Sequence, residues 1–240
     1  MREENTIHDS ELITLGENLE LETVFLQNVR ESGDIGAFKN VAKQFEDLMM
    51  TYSCAIREVR TKLEVLNEEF KVRREHNPIE IIKYRVKKPA SIYEKLLRRG
   101  YPVSLESIEK NLHDVAGIRV ICSYVQDIYM VADLLTAQND ITLLEVKDYI
   151  KNPKPNGYRS LHLVVEIPVF FSEECCNMKV EVQIRTIAMD FWATLEHQLK
   201  YKNDGDVPEG LVEELRACSD VIADSDMRMQ NLYNQVYKQG

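Results

Sequence analysis

The sequence predicts an α/β (α+β) fold: a mixed β-sheet of about five strands with helices packed on it, flanked by long N- and C-terminal helices. Three observations carry that expectation. Met178, Val180, Val182 and Ile184 alternate strictly with Lys179, Glu181, Gln183 and Arg185, so one sheet face is apolar and the other carries Glu, Gln and Arg in register. Leu161, Leu163, Val165, Ile167 and Val169 form a second apolar face, with His162 opposite. Strands are joined partly by helical stretches and partly by short turns, which implies a mixed rather than a purely parallel sheet.

Taken in order, residues 1–35 read as an acidic arm, since Met1 to Thr23 hold seven acids against one base, Arg2. Ser32-Gly-Asp-Ile-Gly36 reads as a breaker and cap before a long helix over 36–76. There Phe38, Val41, Phe45, Leu48, Tyr52, Ile56, Val59, Leu63, Leu66 and Phe70 recur at spacings of three and four, close to a heptad seam. Residues 77–202 read as one domain in which strands and helices alternate. Its strands are expected near Ile81–Val86, Gly117–Ser123, Ile141–Tyr149, Ser160–Phe170 and Lys179–Arg185. Its helices are expected near Pro89–Arg99, Leu105–Asn111, Gln126–Ala137 and Ile187–Lys200, the last with Phe191, Trp192 and Leu195 on its core face. A final helix in 203–240 follows Pro208, with a seam through Leu211, Leu215, Cys218, Ile222, Met229, Leu232 and Val236. Both terminal seams suit packing on the sheet or on each other; they equally suit association between chains.

Composition narrows the function. A net charge of −10 over 240 residues argues against broad nucleic-acid binding, which needs a basic footprint. No apolar run reaches membrane-spanning length, and no basic-then-apolar leader pattern opens the chain. Five cysteines without a Cys-x-x-Cys pair fit reduced thiols in a cytoplasm. Walker-type, dinucleotide-binding, zinc-protease and serine-elbow motifs are all missing from the sequence.

One dense positive patch stands out: Lys83 to Arg99 holds seven basic residues and one acid, Glu94. Arg85 and Lys87 share a face of an extended segment, and Ser91, Lys95 and Arg98 or Arg99 share a helix face. The helix starts at Pro89, so its amides and dipole can add to phosphate binding. By itself the patch reads equally as a solvated helix face. Asp114 precedes the strand containing Arg119; alone it reads as a cap as readily as a metal ligand.

These motifs, with Pro153-Lys-Pro-Asn-Gly-Tyr-Arg-Ser-Leu-His162, Lys179-Val-Glu-Val-Gln-Ile-Arg185 and Asp190-Phe-Trp-Ala-Thr-Leu-Glu-His197, resemble the synthetase domain of RelA/SpoT homologues, and the short chain resembles a small alarmone synthetase. The resemblance spans roughly Asn77 to Lys202. It implies a nucleotidyltransferase-like domain that transfers the β,γ-diphosphate of ATP to the 3′-hydroxyl of GTP or GDP, giving (p)ppGpp and AMP. It implies that Arg85, Lys87, Ser91, Lys95, Arg98 and Arg119 bind ATP, and that Asp114 and Glu181 bind Mg²⁺, with Glu181 also taking the proton of the 3′-hydroxyl. On the acceptor side it implies Lys147, Lys154, Tyr158, His162, Gln183, Asp190, Glu196 and His197, with Tyr158 stacking on guanine. It also implies a homotetramer. Some relatives are activated by their product through a Phe and a Thr just before the Arg-x-Lys motif; Ile81 and Lys83 stand there, so that regulation is not expected. His113-Asp114 mimics the dipeptide of a metal hydrolase, but the other histidines are poorly placed to complete such a centre, so no hydrolase is expected. The competing reading is a non-catalytic nucleotide sensor on the same fold, which would be expected to lose Asp114 and Glu181.

Overall fold

The computed structural model describes residues 35–202 and 210–237; the acidic arm, most of its cap and Pro208 lie outside the described residues. In chain order the elements are α1 (Ile35–Arg73), β1 (Ile79–Val86), α2 (Pro89–Arg98), α3 (Leu105–Asn111), β2 (Ala116–Cys122) and α4 (Val125–Thr136). Then come β3 (Thr142–Asp148), β4 (Leu161–Phe170), β5 (Cys175–Thr186), α5 (Ile187–Lys202) and α6 (Leu211–Tyr237). Each expected strand is present. β5 begins earlier than its alternation announces, because Cys175 and Cys176 pair with Phe170 and Val169 across the turn from β4.

The five strands form one sheet in the order β1-β2-β5-β4-β3. Only β2 and β5 run parallel; the other three pairings are antiparallel. Paired residues share a face, so register sorts the sheet into two surfaces. Ile118, Val120, Leu161, Leu163, Val165, Val180, Val182 and Ile184 form the buried face. α1 lies across it with Phe45, Leu48, Tyr52, Ile56, Val59, Leu63 and Phe70 of the predicted seam buried and Val41 and Leu66 half-buried, while the side chain of Phe38 lies outside those described. α4 covers the remainder with Ile128, Val131, Ala132 and Leu135. The opposite face is polar.

Two sequence expectations fail at the C-terminal side. On α5, Phe191 and Leu195 are exposed at 58% and 42%, whereas Trp192 and Ala193 are buried. The helix is turned this way because Asp190 reaches cations on the sheet and the Trp192 indole donates to the Leu215 carbonyl of α6 at 2.9 Å. On α6, Leu215 is buried and Ile222 partly so, but Cys218, Met229, Leu232 and Val236 are exposed. The stripe that docks is Leu215, Ser219, Asp226 and Gln230, largely polar and held by hydrogen bonds. Among the described residues, no helix is long and apolar enough to cross a membrane.

Leu63 has no solvent exposure and sits where α1 crosses the sheet. Leu63→Ala leaves a cavity there and is expected to cost about 2–5 kcal/mol, read from urea denaturation followed by circular dichroism.

Candidate active site

The polar face of the sheet is organised by one rung that crosses all five strands. Lys83 pairs with Arg119, Arg119 with Gln183, Gln183 with His162, and His162 with Lys147. The next rung toward the end of β1 aligns Arg85, Gly117 and Glu181. Asp114, just before β2, closes the end of this surface. Together Lys83, Tyr84, Arg85, Asp114, Gly117, Arg119, Glu181 and Gln183 line a pocket of about 220 Å³.

Asp114 is the anionic end. Lys87 from the end of β1 and Lys95 from α2 both place their ammonium groups 2.5 Å from its Oδ2. Burial works to raise its pKa, but the two ammonium groups outweigh burial and hold it down at about 2. Desolvation in turn holds Lys95 below the ordinary lysine range. The second carboxylate oxygen of Asp114, Oδ1, is buried and takes no hydrogen bond. A buried, ionised oxygen without a donor is suited to a hard cation. Gly117 and Glu181 face each other across the parallel pair, and the Asp114 and Glu181 charges sense one another.

Glu181 is held from two sides. His162 Nδ1 lies 3.1 Å from Oε1, and Gln183 Nε2 donates to Oε2 at 2.8 Å. Burial again works against ionisation, and His162 with Gln183 reverses it, leaving the pKa below the ordinary glutamate range. Both donors trace back to Arg185. Its guanidinium donates to the Tyr158 hydroxyl and, at 2.9 Å, to Gln183 Oε1. The Tyr158 oxygen thus accepts from Arg185, which leaves its own proton for His162 Nε2 at 2.8 Å. In a neutral imidazole that order makes Nδ1–H the donor to Glu181. Two chains of hydrogen bonds therefore run from one buried cation to the two oxygens of one carboxylate.

Asp190 is tied to three cations. Its Oδ1 receives Arg119 at 3.2 Å and Arg185 at 3.3 Å, and its Oδ2 receives Lys83 at 3.3 Å. Asp190, expected as a nucleotide contact, ties the first turn of α5 to the polar face through these three bonds. Among the other expected donor-side residues, Arg85 and Arg119 line the pocket, whereas Ser91 and Arg98 on α2 do not. The N-cap of α2, Lys88, makes no side-chain capping bond, which leaves the first amides of that helix for an anion.

On the acceptor side, Tyr158 and His162 meet in edge-on contact, and Lys154 sits 4.7 Å over the Tyr158 ring and 4.6 Å over Tyr149. Lys147 lies at the far end of the rung and pairs with Glu145 at 2.8 Å. Glu196 accepts from Asn156 at 2.9 Å and so braces the loop from α5. His197 is on the same helix and does not line the pocket. Sequence reasoning gave no role to Arg185, Lys83 or Asn156. The alternation that singled out Glu181 and Gln183 already placed Arg185 on their face. Lys83 was signalled as part of the basic patch and as a departure from the product-activation position, not as a partner of Asp190, and nothing in the sequence marks Asn156 as a brace.

The chain as a whole is similar to known proteins. Residues 84–206, half of the chain, match the region found in RelA/SpoT proteins. GTP pyrophosphokinase YwaC of Bacillus subtilis (strain 168) is 41% identical over 198 residues, covering 82% of this chain and 94% of that protein. The chain belongs to the RelA/SpoT family. GTP pyrophosphokinase YjbM of the same organism is 39% identical over 194 residues, covering 81% and 90% of the two chains. Small alarmone synthetase 1 of Bacillus subtilis, solved with its product pppGpp, superimposes with a TM-score of 0.76 at 39% identity, covering 81% of this chain and 99% of that one. The likeness extends beyond the RelA/SpoT region and embraces nearly the whole of these small synthetases, so the chain is one of that group.

The Asp114 cluster has a measurable consequence. A carboxyl near pKa 2 in the fold and near 3.8 in the unfolded chain stabilises the fold above pH 3.8, and that contribution is lost as pH falls toward 2. The stability gap between the native chain and Asp114→Asn should therefore include up to about 2 kcal/mol of ionic contribution at pH 5 that shrinks between pH 4 and 2. Urea denaturation across that range checks it.

Proposed function

We propose that this small alarmone synthetase transfers the β,γ-diphosphate of ATP to the 3′-hydroxyl of GTP or GDP, giving (p)ppGpp and AMP, and that GMP is a possible third acceptor. The observation that carries the reading is the pair of ionised acids, Asp114 and Glu181, set at the meeting of a cationic patch and an aromatic loop. Phosphoryl transfer asks chiefly for positioning and charge neutralisation, and both are supplied by these residues.

On the donor side Arg85, Lys87, Lys95 and Arg119 are the phosphate ligands, with Ser91, Arg98 and the open amides of α2 extending the cradle. Lys87 and Lys95 rest on Asp114 and can exchange that carboxylate for phosphate oxygens. Asp114 and Glu181 would hold Mg²⁺, since Asp114 Oδ1 has no donor and two carboxylates are what magnesium commonly takes from protein. The ion would neutralise charge at the attacked phosphate. Glu181, fixed by His162 and Gln183, is placed to accept the proton of the 3′-hydroxyl. Tyr158 receives the guanine ring, with Lys154 giving up its place over the tyrosine. Lys147, His162, Gln183, Asp190, Glu196 and His197 complete the acceptor set.

We infer synthesis without hydrolysis, because beside His113-Asp114 the other histidines, His8, His76, His162 and His197, are poorly placed in the sequence to complete a hydrolase centre. A cytoplasmic homotetramer is the expected assembly. Association of some kind is supported by the apolar side chains exposed among the described residues, Ile187, Phe191, Leu195 and Leu199 on α5 with Val221, Met229, Leu232 and Val236 on α6.

Incubation with ATP, Mg²⁺ and each guanine nucleotide, resolved by anion exchange, tests the reaction. AMP should appear in step with a guanosine 3′-diphosphate; intact ATP from folded, nucleotide-binding protein would support a sensor instead. Glu181→Gln should lower AMP formation by at least about 100-fold with an unchanged melting temperature, and near-normal turnover would remove both roles given to Glu181. Chelation with EDTA should stop AMP formation and added Mg²⁺ should restore it.

A further inference from the structure

α6 lies beyond the stretch that matches the RelA/SpoT region, which ends at residue 206. Its inner stripe nevertheless grips the loop that presents Tyr158. Ser219, buried at 4% exposure, donates its hydroxyl to the Gly157 carbonyl at 2.5 Å. One residue on, Asp220 pairs with Arg159 at 2.8 Å. The two contacts hold the residues on either side of Tyr158. Contact between loop and helix is direct: Gly157 has φ +90°, and a Cβ on it would lie 2.6 Å from Ser219 Cβ and 3.1 Å from Arg216 Cα. Only glycine satisfies both the backbone angle and the approach.

Within the loop the remaining hydrogen bonds are local. Gly157 N donates to the Lys154 carbonyl at 2.8 Å, Lys154 N to the Tyr158 carbonyl at 3.2 Å, and Tyr158 N to Asn156 Oδ1 at 3.2 Å. They shape the turn without fixing where it stands. Its place is set by the Tyr158 hydroxyl on Arg185 and His162 at the side-chain end, and on the backbone side by Asn156 on Glu196 from α5 and Gly157 on Ser219 from α6. A serine inside a helix commonly bonds back to its own preceding turn; Ser219 is turned to the loop instead. α6 itself is secured at both ends, by Trp192 Nε1 on the Leu215 carbonyl at 2.9 Å, by Thr186 Oγ1 on Asp226 Oδ2 at 2.6 Å and by Gln126 N on Gln230 Oε1 at 2.9 Å.

We propose that Ser219 is a positioning residue for the acceptor nucleotide: by donating to the Gly157 carbonyl it makes α6 the latch that holds Tyr158 in place. The inference rests on the reading of Tyr158 as the guanine contact. Donor-side residues come from β1, α2 and β2, none of which carries the loop, so the latch acts on one substrate and not the other.

The test is steady-state kinetics of Ser219→Ala with GDP and ATP varied in turn, beside trypsin digestion aimed at Lys151, Lys154 and Arg159. The Michaelis constant for GDP is expected to rise about tenfold, the net worth of a buried hydrogen bond. The constant for ATP and the rate at saturation should stay within about twofold, and cutting between residues 151 and 159 should accelerate. Ser225→Ala, which removes an exposed α6 hydroxyl bonded back to the Val221 carbonyl of its own helix, is the control and should stay near the native values. An unchanged constant for GDP overturns the proposal, as does a parallel loss in both constants with a fallen melting temperature, which marks a merely structural residue. If the native chain makes no AMP, the synthetase reading fails and digestion alone judges the latch: faster cutting in Ser219→Ala upholds it, and unchanged cutting overturns it.

Discussion

Because β2 and β5 run parallel while every other neighbour is antiparallel, Gly117 faces Glu181 and Arg119 faces Gln183. Everything at the site follows from that pairing. It brings Asp114, at the entrance to β2, beside the middle of β5, although the two are far apart in sequence. β1 and β4 then add Lys83 and His162 to the same rung. The apolar face is fixed by the same register, since a slip of one residue would turn Val180, Val182 and Ile184 outward and Glu181 and Gln183 into the core. Burial of the core under α1 and α4 therefore enforces the alignment of the polar side chains. Fold stability and site geometry are two faces of one set of strand pairings.

Electrostatics on that face follow a single pattern. Each acid is balanced by donors whose hydrogen bonds hold it in place: Asp114 by Lys87 and Lys95, Glu181 by His162 and Gln183, Asp190 by Lys83, Arg119 and Arg185. Burial alone would favour neutral carboxyls at Asp114 and Glu181, yet the paired donors keep both ionised. Arg185 is the least replaceable member. It is 4% exposed and bonds Ser160, Asp190, Tyr158 and Gln183. A buried guanidinium is costly unless every donor is answered. Here the answering groups are the ones that orient Glu181, so the cost of burying the charge and the order of the site are joined.

The sequence was most legible where period and chemistry coincide. Alternation in β4 and β5 gave both faces of the sheet, and the α1 seam from Phe45 to Phe70 gave the helix that covers it. Asp114, Glu181, Gln183, His162 and Tyr158 were found because their residue types matched a family pattern at the right spacing, and register then placed them together. Arg185 was visible on the correct face but not as a hub, because a hub is defined by contacts from Tyr158 and Asp190 that lie outside its own strand. Phe191 and Leu195 misled for the opposite reason. Their hydrophobicity suggested a core face, while the turn of α5 is governed by Asp190 on the sheet cations and by the Trp192 bond to α6. Local pattern is overruled there by two polar tertiary contacts.

α6 carries this conflict furthest. Its heptad-like seam reads as the packing face, yet the helix meets its own chain through Ser219, Asp226 and Gln230, with Leu215 as the main apolar contact. Hydrogen bonds of this kind are directional and fix the rotation of a helix more sharply than apolar burial, which is non-directional. The rotation so fixed leaves Val221, Met229, Leu232 and Val236 exposed among the described residues. Ser219 on one side of the helix and these apolar side chains on another are fixed by the same rotation, so the hydrogen bonds that set the Gly157 loop also decide which side chains α6 turns outward.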